Sequence, residues 1–246
     1  MHHEPQRIVL VTGASRGIGA DVALQLADPH THVIVNYREK ARRAETIAAA
    51  IRDAGGHAST MGADISDDVS STAMMATIEA RFGRLDALVL NASGGLEMGA
   101  DPGYAMRLNR DAQRRLAQMA LPLMPVDGRI VFVTSHQAHF FPNKAVPKGY
   151  SAVAASKRAG ETALYTMRAA FNRAGVRLTV VSGDMIDGTI IVRLLQRRDP
   201  DAVAARRTHG TLPTVHEFSG AIVSAVTMPS PPGIVYVGGA DYLVTA

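Results

Sequence analysis

Short runs of β-branched and other apolar residues recur along the chain, separated by longer alanine-rich stretches whose apolar positions repeat at helical spacing. The apolar runs predict strands over Ile8–Val11, His32–Asn36, His57–Gly62, Ala87–Asn91, Arg129–Thr134, Arg177–Ser182 and Ile234–Val237. The stretches between them predict helices near Ile18–Ala27, Lys40–Ala54, Val69–Phe82, Ala105–Leu123, Ser151–Ala174 and Thr214–Val226. Strand–helix alternation of this kind is what repeated βαβ units around a buried parallel sheet require. The expected class is α/β, a doubly wound parallel sheet of about seven strands with helices on both faces. Right-handed crossovers put the carboxyl ends of all strands on one edge, and ligands bind there.

The first such edge carries the clearest chemistry. The strand Arg7-Ile8-Val9-Leu10-Val11 breaks into Thr12-Gly13-Ala14-Ser15-Arg16-Gly17-Ile18-Gly19 and then into an alanine-rich helix. Gly13 permits the tight turn, Gly17 lets backbone approach a pyrophosphate, and Gly19 lets the helix pack on the sheet with its first amides facing the anion. Strand, glycine turn and helix in this order make a Rossmann-like dinucleotide cradle.

The second strand ends in Val35-Asn36-Tyr37-Arg38, with no carboxylate to hold ribose hydroxyls. Arg38 and Arg16 are instead two guanidinium groups able to clamp a 2′-phosphate, so NADP(H) is expected over NAD(H). At the third strand's end Asp64 and Ile65 offer an acceptor and an apolar contact for adenine, although Asp64 equally suits a turn cap. At the fourth, Asn91, Ala92 and Ser93 supply small residues where backbone passes close to the dinucleotide, or form a plain turn.

Composition narrows this picture by exclusion. The chain has 246 residues and no linker or repeat, which suits one domain, 1–246. There is no cysteine, so neither a disulfide framework nor a thiolate metal site is expected, and a reducing cytoplasm fits. The net charge of +4, with 6 Phe, 6 Tyr and no Trp, gives little for stacking on nucleic-acid bases. Met1–Arg7 lacks a signal-peptide pattern and no apolar run is long enough for a membrane span, so no membrane association is expected.

Taken together, these residues resemble the short-chain dehydrogenase/reductase family, in order and over nearly the whole chain. The segment Thr12–Gly19 matches its cofactor motif, Asp64 its adenine-side aspartate, and Leu90-Asn91-Ala92-Ser93 its Asn-Asn-Ala-Gly segment with the first Asn and the Gly replaced. By the same resemblance Asn109 kinks a helix and holds a proton-relay water, Ser135 orients substrate, and Lys157 binds the nicotinamide ribose. Gly183, Ile186 and Thr189 follow the sixth strand, where the resemblance implies that backbone near Ile186 and the Thr189 hydroxyl hold the carboxamide.

The chain departs from the family where its general acid should stand: four residues before Lys157 there is Val153, which cannot move a proton. Tyr150, seven residues before Lys157, lies within about 20° of the lysine's helix face but about 4.5 Å nearer the N-terminus than the position of the acid. Tyr150, His136, His139, an ordered water and a substrate hydroxyl are the alternative donors. Phe140 and Phe141 read as an apolar wall for a bulky substrate, as core, or as an oligomer contact. A second departure replaces the family's Pro-Gly by Gly183-Asp184, with Asp187 beyond. Both carboxylates are expected to cap the following helix.

The basic segment around Arg193, Arg197, Arg198, Arg206 and Arg207 falls in the family's substrate lid, here about 188–212. It is expected to be a solvated helix face, with an anionic or carrier-bound acyl substrate as the other reading. The arginines around Arg107, Arg110, Arg114 and Arg115 carry the same ambiguity. The resemblance implies a homodimer or homotetramer and an NADPH-dependent reductase acting on a small-molecule carbonyl. The alternatives are a non-catalytic NADP(H)-binding sensor or assembly protein, and a dehydratase or isomerase using Asp184, Asp187 or His136 as base.

Overall fold

The computed structural model describes residues 6–96, 101, 103–208, 210–240 and 243. Met1–Pro5, in the segment read above for an export signal, and His209 in the lid segment lie outside them. The strands are β1 (Arg7–Val11), β2 (Thr31–Tyr37), β3 (His57–Gly62), β4 (Ala87–Leu90), β5 (Arg129–Ser135), β6 (Arg177–Gly183) and β7 (Ile234–Val237). They form one parallel sheet in the order β3-β2-β1-β4-β5-β6-β7.

Alternation along each strand decides which layer a residue joins. Ile8 and Leu10 of β1, with Ile34, Leu88, Leu90, Ile130 and Phe132, face one side. There they meet α3 (Asp68–Phe82), α5 (Gln113–Ala120) and α7 (Ser151–Thr166) through Met74, Ile78, Leu116 and Leu164. Val9, Val11, Val33, Val35, Val89 and Val131 face the other. They meet α1 (Gly17–Gln25), α2 (Ala41–Asp53) and α11 (Val215–Thr227) through Val22, Ala48, Ile51 and Phe218. With both faces covered, strands can be apolar at every position, and β4 is buried along its whole length.

Two predicted helices are subdivided. The stretch expected as Ala105–Leu123 begins with α4 (Tyr104–Met106), widens to π pitch over Arg107–Ala112, returns to α5 and ends in a 3-10 turn at Leu121–Leu123. The one expected as Ser151–Ala174 breaks at Met167 into α7 and α8 (Arg168–Arg173), which places Phe171 fully in the core. The loop after β5 contains a helical turn, α6 (His136–His139), capped by the Ser135 hydroxyl. The lid segment is two helices, α9 (Ile190–Arg198) and α10 (Pro200–Thr208). Among the described residues no helix is long and apolar enough to cross a membrane, and no group of acidic or histidine side chains is arranged to hold a metal ion.

Candidate active site

The sheet order reverses direction at β1, which has β2 on one side and β4 on the other, so a crevice opens at the carboxyl ends of these strands. The glycine turn fills its floor. Gly13 and Gly17 adopt φ of +64° and +58°, which L side chains rarely tolerate. A Cβ on Gly19 would lie 2.5 Å from Asn91 Nδ2 and 2.8 Å from the Gly13 carbonyl, so close packing alone demands glycine there. Around Gly17 a Cβ would meet nothing within 4 Å, which leaves the backbone open to a ligand. The Arg16 side chain does not cap α1, so the first amides of that helix point into the crevice with their positive dipole end.

Side chains hold this turn in shape, and two of them, Asn36 and Gln113, have no role assigned by pattern reading. Asn36 is buried; its Oδ1 accepts from the Gly13 amide at 3.2 Å, and its Nδ2 donates to the carbonyls of Met61 and Ala63, each at 3.2 Å. The Thr12 hydroxyl accepts from the amides of Asn91 and Ala92, both at 3.0 Å, and Asn91 Nδ2 donates to Thr12 O at 2.9 Å. Gln113 donates to Ala92 O at 3.0 Å. A polar residue inside an apolar run, as Asn36 is, was the available signal.

Around the crevice the other expected cofactor residues are found at strand ends. Tyr37 closes β2, and its ring leaves no room for a side chain at Gly62. Arg38 is half exposed, paired with Glu39 at 3.0 Å, and donates to the Tyr104 hydroxyl at 2.5 Å; Arg16 is exposed. Asp64 Oδ1 accepts from the Ser66 amide and hydroxyl at 2.9 and 2.7 Å, so it builds the turn after β3. Ile65 beside it is buried, and Arg115, ambiguous in sequence, donates to its carbonyl at 2.8 Å. Ser15 is partly exposed and Ser93 exposed, at the mouth of the crevice.

On the β5–β6 side, Asn109 lies within the π segment and donates to Gly94 O at 2.9 Å and to Ser156 Oγ at 3.0 Å. Ser135 ends β5, and its Oγ shares a hydrogen bond of 3.3 Å with the Tyr150 hydroxyl. Tyr150 has already entered helical backbone at the start of α7, so its ring reaches back toward β5. It is buried with Ala138, Val153 and Ala154, and Phe141 packs against this cluster. Burial pushes the Tyr150 phenol pKa up, only partly offset by Ser135, so the phenol stays protonated. Lys157, farther along α7, has no hydrogen-bond partner among the described residues, and desolvation lowers its pKa to about 8.

The two histidines are committed elsewhere. His136 is fully buried between Ser182 Oγ, 2.8 Å from Nδ1, and Gly238 O, 3.0 Å from Nε2, and burial lowers its pKa. The carbonyl needs an Nε2–H donor, which leaves Nδ1 to accept from Ser182. His139 bridges buried Glu161, at 2.9 Å, and the Tyr236 hydroxyl, at 3.0 Å. Phe140 stacks on Tyr236 in that cluster, away from Tyr150.

The aspartates expected as caps do something else. Thr189 caps α9, accepting from Val192 N at 3.4 Å while donating to Ile186 O at 2.8 Å. Asp184 instead takes both its oxygens to Arg206 Nε, at 2.9 and 2.7 Å, and Asp187 lies 3.5 Å from Arg207. Capping fails because each carboxylate precedes the helix by too many residues once Gly188, at φ +82°, turns the chain. Gly183 is pressed against the Phe218 ring, where a Cβ would come within 2.6 Å.

This arrangement can bind a dinucleotide through backbone and present a hydroxyl pair beside it. The short chain dehydrogenase family profile matches residues 7–199. The chain belongs to the short-chain dehydrogenase family. This short-chain dehydrogenase is 34% identical over 190 residues to 1-cyclohexenylcarbonyl-CoA reductase of Streptomyces collinus, covering 74% of this chain and 65% of that protein. It is 32% identical over 152 residues to trihydroxynaphthalene reductase of Colletotrichum orbiculare, covering 58% and 54%. The chain thus spans less than two thirds of the length of these curated relatives. Among solved structures it superposes on angucycline C-6 ketoreductase LanV with bound NADP, with TM-score 0.79, 25% identity and coverage of 97% and 98%. Reductase LugOII, which catalyses keto-reduction at C1 during lugdunomycin biosynthesis, gives TM-score 0.80 at 24% identity, covering 96% and 98%, a likeness of fold.

Proposed function

We propose that this short-chain dehydrogenase is an NADPH-dependent reductase of a small-molecule ketone, with Tyr150 as proton donor in place of the family's tyrosine, whose position Val153 takes. The observation that carries the reading is the 3.3 Å contact between the Ser135 and Tyr150 hydroxyls. A pure binding protein has no need of two hydroxyls joined at the end of β5. The ketoreductases and reductases among its relatives support the reaction class.

Gly13, Ser15, Arg16, Gly17, Ile18 and Gly19 would hold the pyrophosphate side of the cofactor. Tyr37 and Arg38 would hold its adenosine phosphate, Asp64, Ile65, Asn91, Ala92 and Ser93 its adenosine flank, and Gly183, Ile186 and Thr189 its carboxamide. The basic end of β2 favours NADP(H) over NAD(H). When bound, NADPH supplies the hydride. Lys157, whose ammonium has no hydrogen-bond partner among the described residues, would bind the ribose hydroxyls and add positive charge beside the reacting carbonyl. Ser135 donates to the carbonyl oxygen and orients it. Tyr150, kept protonated by burial, transfers the phenolic proton to that oxygen as negative charge develops. Asn109, whose side chain ties the π segment to Gly94 and Ser156, would hold the water that re-protonates the phenol.

Phe141 and Leu96, packed beside Tyr150, make the substrate side apolar, which fits a bulky ketone, free or carried as an acyl group. The protein acts as a homodimer or homotetramer in the cytoplasm. The test is NADPH oxidation against a panel of ketones and quinones, beside calorimetric titration with NADPH and NADH. Turnover with NADPH binding tighter than NADH is expected. Tight binding without turnover on any substrate would put the non-catalytic sensor in its place.

A further inference from the structure

The lid pair α9–α10 has its own small apolar core, in which Met185 from the loop after β6 packs with Val192, Leu195, Val203 and Leu212. That core is pinned to the sheet by charge. The side chains of Asp184 and Arg206 are 4% and 11% exposed, and the guanidinium Nε sits 2.9 and 2.7 Å from the two carboxylate oxygens. The space is cleared by Gly239, where a Cβ would come within 2.9 Å of both the Arg206 guanidinium and the His136 ring and 3.2 Å of Asp184 Cγ. Asp184 is itself fixed to β7 through its amide, which donates to Val237 O at 2.9 Å. The neighbouring residue on α10, Arg207, reaches Asp187 of the same loop at 3.5 Å.

Two consecutive arginines on one helix thus meet two aspartates on one loop, and between those aspartates Met185 enters the lid core while Ile186 enters the sheet core. A buried ion pair contributes little net stability but is costly to break from one side, so it fixes geometry more than it adds stability. We propose that Asp184 and Arg206 are positioning residues that lock α9–α10 onto the end of β6, so the roof over the crevice is assembled before substrate arrives. Substrate is then selected by a preformed wall instead of by closure of a mobile lid. The claim that this wall selects a ketone rests on the function proposed above; the locking itself does not.

Amide hydrogen exchange of the free protein, with neither cofactor nor substrate, tests it. In Asp184→Asn the amides of α9 and α10 should exchange at least tenfold faster while those of β1, β4 and β5 stay within twofold of the parent. Arg206→Lys, which keeps the charge and loses the two-oxygen contact, should fall between, and it serves if Asp184→Asn does not fold. In turnover assays KM for the ketone should rise about tenfold with kcat within about threefold, the pattern of lost ground-state positioning. Unchanged exchange in the lid, or an equal rise across the sheet, would overturn the lock. A protein that shows the lid effect yet oxidises no NADPH would leave the lock standing and remove the reductase.

Discussion

The two halves of the sheet reach the same ligand crevice by different chemistry. On the β1–β3 side the proposed cradle is backbone: positive-φ glycines, uncapped helix amides, and the Gly13 and Ala92 amides tied by Asn36 and Thr12. On the β5–β7 side the proposed site is made by side chains brought from separate elements: Ser135 from β5, Tyr150 at the start of α7 and Lys157 within it, and the Asp184–Arg206 pair joining the end of β6 to α10. Backbone sites depend on the absence of side chains and leave a glycine pattern in the sequence. Side-chain sites tolerate relocation, because a hydroxyl from another turn of helix can reach the same oxygen.

The largest expected effect breaks the β5–β7 half alone. Tyr150→Phe should lower kcat by about 100- to 10,000-fold, the usual worth of a general acid, with NADPH affinity unchanged by calorimetry. A kcat within threefold of the parent would move the proton to water or substrate. Next comes the buried cluster behind Ser135, where Glu161 is wholly buried and paired with His139 at 2.9 Å and Arg158 at 3.0 Å. Glu161→Ala should cost about 1–3 kcal/mol in chemical denaturation, because the buried His139 ring and Arg158 lose the carboxylate they are hydrogen-bonded to.

A smaller change breaks the other half. Gly19→Ala forces a Cβ against Asn91 and Gly13 O, and overpacking of this kind should cost about 1–3 kcal/mol and weaken NADPH binding while the Ser135–Tyr150 contact persists. The subtlest test joins the halves through Lys157, whose pKa in the free protein is about 8. Since the ribose contact proposed for Lys157 needs its charged form, NADPH affinity should fall as pH rises above about 8, by at most about tenfold per pH unit, in fluorescence titration. Stability of the free protein follows the opposite sign. Between about pH 8 and the unfolded lysine value near 10.4 the unfolded chain binds the extra proton, so unfolding free energy rises with pH, and Lys157→Met should abolish that rise.

All seven expected strands are present, with ends shifted by at most one residue, because uninterrupted apolar runs have no stable place except inside a sheet covered on both faces. The glycine turn was legible for the reason already given. The π segment at Arg107–Ala112 has no mark in the apolar spacing and was legible only as the helix kink that the family resemblance implies at Asn109. Nor was the break at Met167, which follows from the depth at which Phe171 must sit. His136 and His139 are among the alternative proton donors that the sequence offers; the turn of α6 folds them inward onto Ser182, Gly238, Glu161 and Tyr236, partners distant in sequence.

The sequence by itself therefore determined the layer order, the cradle and the family, since each rests on local periodicity or on a glycine that backbone geometry demands. Tertiary structure decided which hydroxyl faces Ser135, that Asp184 pairs with Arg206 instead of capping a helix, and that Lys157 has no hydrogen-bond partner among the described residues. Those outcomes depend on distances between elements far apart in the chain, which packing fixes and no local pattern encodes.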